Sequence, residues 1–190
     1  MTKSGGKKEA IEQAAIELFA CKGPAGTTIK DIAMKAGVTE GALYRHYPSK
    51  EDMATALFTR ELADLRLRLI AVLETDGEVR TTLRTILECL YAEYERRPYS
   101  ILFILLNFQN LQGINLPGET ANIYDFIIER TGDLVRALPV ASNGIVPTLL
   151  TGLIIQPVLF HHYGKLPDPP LRYLDAVTAA CCRLLGGGGE

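Results

Sequence analysis

The 190-residue chain lacks most of the features that would declare a chemistry. It has four cysteines, Cys21, Cys89, Cys181 and Cys182, and no C-x-x-C pair, so no zinc site is expected. The adjacent Cys181 and Cys182 read as packed small residues of a reduced, cytoplasmic protein rather than a redox switch. No nucleophile–base pair, phosphate loop or metal-ligand spacing is visible, which argues against an enzyme and against a cofactor. The pair His161-His162 does not change this. Neighbours on a helix point about 100° apart and do not easily face one metal. No segment alternates apolar and polar residues between hairpin turns, so strands are not expected. No internal repeat is present. Residues 1–8 are polar and Gly-rich and no apolar stretch follows, so no signal peptide is expected. Residues 137–160 carry no formal charge, but Pro139, Ser142, Asn143, Gly144, Pro147, Gln156 and Pro157 interrupt them. A membrane span needs about 20 predominantly apolar residues, so a buried helix is the expectation.

What is present is ordinary for a globular chain of one or two domains: 47% hydrophobic and 22% charged residues. The net charge of -2 hides an asymmetry. Residues 1–50 hold 8 Lys/Arg against 5 Asp/Glu, and residues 51–190 hold 12 against 17. A slightly basic head on an acidic body fits a nucleic-acid-binding head with a body of another purpose.

The apolar spacing predicts an all-helical chain. A first helix over about 8–20 carries Ile11, Ala14, Ala15, Leu18 and Phe19 on one face, and Gly23-Pro24 and Gly26 end it. Thr28 and Asp31 form a capping box for a second helix, which Gly37 terminates in a left-handed turn. Thr39 caps a third helix, Glu40 favours its dipole, and Pro48 breaks it. Ser49 and Asp52 box the start of a long fourth helix reaching about residue 74, nearly 40 Å at 1.5 Å per residue. Further helices are expected at about 78–96, 99–112, 119–138, 145–164 and 170–185, with a kink at Pro157. The GGGG tail is expected to be flexible.

Residues 27–50, TTIKDIAMKAGVTEGALYRHYPSK, meet the steric demands of a helix-turn-helix. Ala33 is small where two helices cross, Gly37 makes the turn, and Leu43 reaches inward from the second helix. The segment closely resembles the TetR family of bacterial regulators over roughly residues 8–57. The matching residues are Thr28, Ile32-Ala33, Ala36-Gly37-Val38, Gly41, Leu43-Tyr44, His46-Tyr47 and Ser49-Lys50-Glu51. Tyr47 departs from the commoner Phe by adding a hydroxyl.

The candidate DNA contacts sort into two jobs. Thr28, Tyr44, His46, Tyr47 and Lys50 are suited to phosphates, Lys50 in a helix first turn that itself favours an anion. Lys30, Thr39, Glu40, Gly41, Ala42 and Arg45 lie where the resemblance implies base edges in the major groove. Arg45 suits a bidentate contact with guanine, worth about 1–3 kcal/mol of discrimination. Glu40 reads more readily as a helix-start stabiliser than as a cytosine contact.

The resemblance implies a three-helix DNA-binding head over residues 1–50, an effector-binding and dimerisation domain over 51–185 and a tail over 186–190. It also implies a homodimer on a palindromic double-stranded operator, paired through the last two helices. The stripe Leu174, Val177, Cys181 and Leu184 or Leu185, with Ala176, Ala179 and Ala180, suits that pairing, as do Leu149, Gly152, Leu153 and Phe160. A small, mostly apolar effector is expected in the body, with Tyr91, Tyr94, Phe103, Asn107, Phe108, Tyr124, Phe126 and Gln156 as candidate lining. The resulting function is ligand-controlled transcription, usually repression. An activator or architectural DNA binder without a ligand is the alternative.

Overall fold

The structure is a computed structural model and describes residues 3–73, 78–107 and 145–185. These are helical, with no strand among the described residues. The helices are α1 (Lys3–Lys22), α2 (Ile29–Ala36), α3 (Glu40–Tyr44), α4 (Lys50–Leu73), α5 (Val79–Arg96), α6 (Pro98–Asn107), α7 (Ile145–His162) and α8 (Leu174–Leu184). A 3-10 turn, Pro170–Tyr173, leads into α8. The helix expected over 119–138 lies outside the described residues, as do the loops expected on either side of it. No helix among them is long and apolar enough to cross a membrane.

Local chemistry accounts for the element ends in the head. The Thr28 hydroxyl accepts from the Asp31 N–H at 3.1 Å, and the Asp31 carboxylate accepts from the Thr28 N–H at 3.1 Å. This box satisfies two donors that the first turn of α2 would leave open. At the other end Gly37 has φ 67°, and two bonds close the helix: Val38 N–H to Ala33 C=O and Gly37 N–H to Met34 C=O. That is a Schellman closure, which needs the left-handed residue glycine supplies. Ser49 accepts from the Asp52 N–H at 3.0 Å and so starts α4. Thr39 takes the N-cap position of α3 with an extended backbone, but its side chain makes no capping bond. Its role is therefore conformational, contrary to the expectation of a side-chain cap. Thr28→Ala is expected to cost about 0.5–2 kcal/mol of stability in urea titration, whereas Thr28→Ser should cost little. Equal losses in both would show that the hydroxyl does not cap.

The chain divides into two compact units. Among the described residues the first comprises 3–64 and 97–107, the second 65–73, 78–96 and 145–185. In the first unit, α1 packs on α2 and on α6, and α2 on α3. Its core includes Ile11, Ala15, Phe19, Ile32, Leu43, Leu57, Phe58, Leu102 and Phe103, all essentially inaccessible to water. Phe103 stacks tilted on Phe19, 5.6 Å between centroids, and edge-on to Phe58 at 5.8 Å. The polar group on this apolar helix is satisfied: Asn107 donates to the carbonyls of Phe103 (3.1 Å) and Phe19 (3.3 Å). Phe19 C=O also accepts from the Gly23 N–H, so α6 helps to cap the end of α1.

In the second unit, α5 packs on α8 and α7, and α7 on α8. Leu83, Leu87 and Tyr91 of α5 are buried there, with Leu150, Ile154 and Val158 of α7 and Leu174 and Cys181 of α8. Burial raises the Cys181 thiol to about 11, so it stays protonated and packs as a small apolar group. Helix α7 runs through Pro157, whose missing N–H leaves the Leu153 carbonyl without its helical donor.

Candidate nucleic-acid interface

Helix α3 turns one side chain inward and offers the rest to solvent. Leu43 is wholly buried, while Thr39, Glu40, Gly41, Tyr44, Arg45 and His46 are exposed and Ala42 is half-buried. Such a helix is anchored by one apolar residue and free to enter a groove along its outer side. Tyr44, which sequence position alone leaves between core and surface, is 54% exposed. Lys30 is exposed on the first turn of α2.

Three of the five phosphate candidates come together from separate parts of the chain. Thr28, Tyr44 and Lys50 share one surface concavity with Thr27, Ile29, Pro48, Ser49 and Glu51. The Lys50 ammonium donates to the Thr27 carbonyl at 3.0 Å and lies 3.8 Å from the Glu51 carboxylate. It is thus held at the mouth of α2, where the first-turn N–H groups already favour an anion. The Thr27 carbonyl that orients it has no signature in sequence, since any residue supplies one.

Tyr47 differs from the other aromatics. It is half-buried, and its hydroxyl donates to Glu12 Oε1 at 2.6 Å. Glu12 is itself buried and accepts from Arg60 through its other oxygen. Burial pushes the Glu12 carboxyl up, but the bonds from Tyr47 and Arg60 outweigh it and hold it below the ordinary carboxylate value. Burial and the Glu12 charge push the Tyr47 phenol up, so it remains a donor. The pairing of Tyr47 with Glu12 and Arg60 has no short-range spacing that would reveal it.

The effector candidates within the described residues divide between the two units. Phe103 and Asn107 belong to the core of the first unit, as described above. Tyr91 and Tyr94 lie in the second unit, where the Tyr91 hydroxyl donates to Ile154 C=O at 3.0 Å. The Tyr94 hydroxyl shares a 3.0 Å hydrogen bond with His161 Nδ1. Gln156 is exposed and lines an open apolar groove on α7 and α8. Phe108, Tyr124 and Phe126 lie outside the described residues.

That groove, about 700 Å³, is bounded by Leu149, Gly152, Leu153, Phe160, Val177 and Leu184 among others. The C-terminal stripe is therefore split. Leu174 and Cys181 face inward, while Ala176, Val177, Ala180 and Leu184 line the groove. Among the described residues no group of three or more His, Cys, Asp or Glu side chains is placed to hold a metal.

Comparison with known proteins fits this geometry. Residues 11–57 match the family model described as bacterial regulatory proteins, tetR family. The HTH-type transcriptional repressor KstR2 of Rhodococcus jostii is 36% identical over 89 residues, 47% of this chain and 43% of that protein. The nucleoid occlusion factor SlmA of Vibrio vulnificus is 32% identical over 96 residues, covering 50% and 49%. The chain thus spans less than half the length of either curated relative. The solved structure of the ketosteroid transcriptional regulator KstR2 of Mycobacterium tuberculosis superposes with a TM-score of 0.72 at 21% identity, over 95% of this chain and 93% of that one. At that identity the likeness concerns the fold.

Proposed function

The chain belongs to the TetR family of bacterial regulators, and from that premise we propose that it is a ligand-responsive repressor that binds a palindromic operator as a homodimer. The observation that carries this reading is the exposed outer side of α3 beside the concavity that unites Thr28, Tyr44 and Lys50. Thr28, Tyr44, His46 and Lys50 take phosphates and fix the register. Lys30, Thr39, Gly41, Ala42 and Arg45 face base edges, with Gly41 and Ala42 letting the backbone come close. Glu40 steadies the start of α3. Tyr47 contributes its ring and position, with its hydroxyl engaged by Glu12.

A single short reading helix contacts few bases, and two of them about one helical turn apart read a palindrome. The apolar groove on α7 and α8 supports pairing there, because Leu149 and Phe160 are 47% and 44% exposed in the single chain. The effector is small and mostly apolar. Such a regulator works in the cytoplasm, where the operator is.

Electrophoretic retardation of the DNA upstream of its own gene tests the reading. Arg45→Ala is expected to lower affinity for that duplex about five- to a hundredfold and to leave an unrelated duplex nearly unaffected. Lys50→Ala should weaken both alike and reduce the salt slope by about one. No retardation of the upstream duplex at low salt would sink the proposal.

A further inference from the structure

The first unit contains a relay of alternating charge that DNA contact does not require. In each of two buried carboxylates the two oxygens are taken by different residues. Glu12 Oε1 accepts from the Tyr47 hydroxyl and Oε2 from Arg60. Glu61 Oε1 accepts from the same Arg60 at 3.1 Å, and Oε2 from Arg97 at 3.3 Å. Arg97 also lies 3.6 Å from Asp64. Glu12 and Glu61 are 9% and 5% exposed, so either would be costly to leave unpaired.

The two ends of the relay stand at telling places. Tyr47 lies three residues past the end of α3, its N–H still bonded to Leu43 C=O. Arg97 opens α6, where its carbonyl accepts from the Ile101 N–H, and it is the residue at which the chain re-enters the first unit. Asp64 is the residue at which the chain leaves it. The relay therefore runs from residues at two of the chain's crossings between the units to the segment that follows the reading helix.

We propose that Glu12, Arg60, Glu61 and Arg97, acting through the Tyr47 hydroxyl, are positioning residues that set the angle of α3 from the point where the chain enters and leaves the first unit. Apolar contact through Leu43 holds α3 to the core but is non-directional. Hydrogen bonds to fixed carboxylate oxygens have preferred angles and resist rotation. The Tyr47 hydroxyl is also the one atom by which this residue departs from the phenylalanine commoner in the resembled family, so Tyr47→Phe removes the link and keeps the packing. Only the DNA arm of the test rests on the proposed function.

Tyr47→Phe, Arg97→Gln and the double variant would be compared by amide hydrogen exchange over residues 40–49. Each single change is expected to speed exchange in that segment about two- to tenfold, the range for one lost hydrogen bond. The double variant should exceed the larger single effect only slightly, because both act on one linked network. In Tyr47→Phe the preference for upstream over unrelated DNA should fall severalfold with the salt slope unchanged, since no phosphate contact is lost. Unaltered exchange over 40–49 in Arg97→Gln would overturn the relay, even if melting temperature fell. So would effects that multiply independently in the double variant, or an unchanged DNA preference in Tyr47→Phe despite faster exchange. If the unaltered protein failed to retard upstream DNA, the functional reading would fall while the exchange measurements still decided the relay.

Discussion

Phe103→Ala is expected to destabilise the protein by about 3–5 kcal/mol, lowering the thermal midpoint by roughly 10 °C in a chain of this size. The ring is wholly buried and meets Phe19 and Phe58 in tilted and edge-on arrangements, so truncation leaves a cavity facing both. Two aromatic contacts are lost along with the transfer term. Phe160→Ala is the control. Its ring is 44% exposed in the single chain, and its loss should cost a monomer under about 1 kcal/mol. Calorimetry with urea titration measures both. If Phe103→Ala kept its stability and instead weakened retention of a co-purified small molecule, Phe103 would line a pocket and the packing account would fail.

Phe160→Asp is expected to shift the protein from dimer to monomer in light scattering and to cost about a hundredfold or more in affinity for a palindromic duplex. A carboxylate at this edge of the apolar groove would be buried without a partner on pairing. The effect on folding of the single chain should be small, because the side chain already meets water. Binding to a half-site should change little, which separates loss of pairing from loss of the reading helix. A variant that remained dimeric with full operator affinity would place the pairing surface elsewhere.

How far the sequence could be read follows from the range of the interactions. The ends of α2 and the start of α4 were legible because their chemistry is local: Thr28 with Asp31, Gly37 with Ala33, Ser49 with Asp52. The inward Leu43 was legible from the steric demands of the turn. Thr39 shows the limit even at short range, since its type allows a cap that its side chain does not make. The surroundings of α6 were not legible. Its all-round apolarity announces burial, and Asn107 announces a need for partners, but the carbonyl it finds on Phe19 lies 88 residues away. The C-terminal stripe could be seen as apolar, yet Cys181 is buried while Val177, one turn earlier on nearly the same face of α8, lines the groove, and periodicity alone does not say where the core ends. The partner of the Tyr47 hydroxyl, 35 residues distant, is of the same kind.

The contribution of α6 to the first unit bears on synthesis. The segment that carries the family signature ends at residue 57, but the aromatic cluster that closes its core is completed by Phe103. A nascent chain therefore holds Phe19 and Phe58 without their third ring until about fifty more residues have been added. At ordinary elongation rates that is a wait of roughly 3–10 s. During it the most recognisable part of the protein is an unfinished fold with apolar surface open to chaperones. A fragment ending soon after Phe58 would remain in that state.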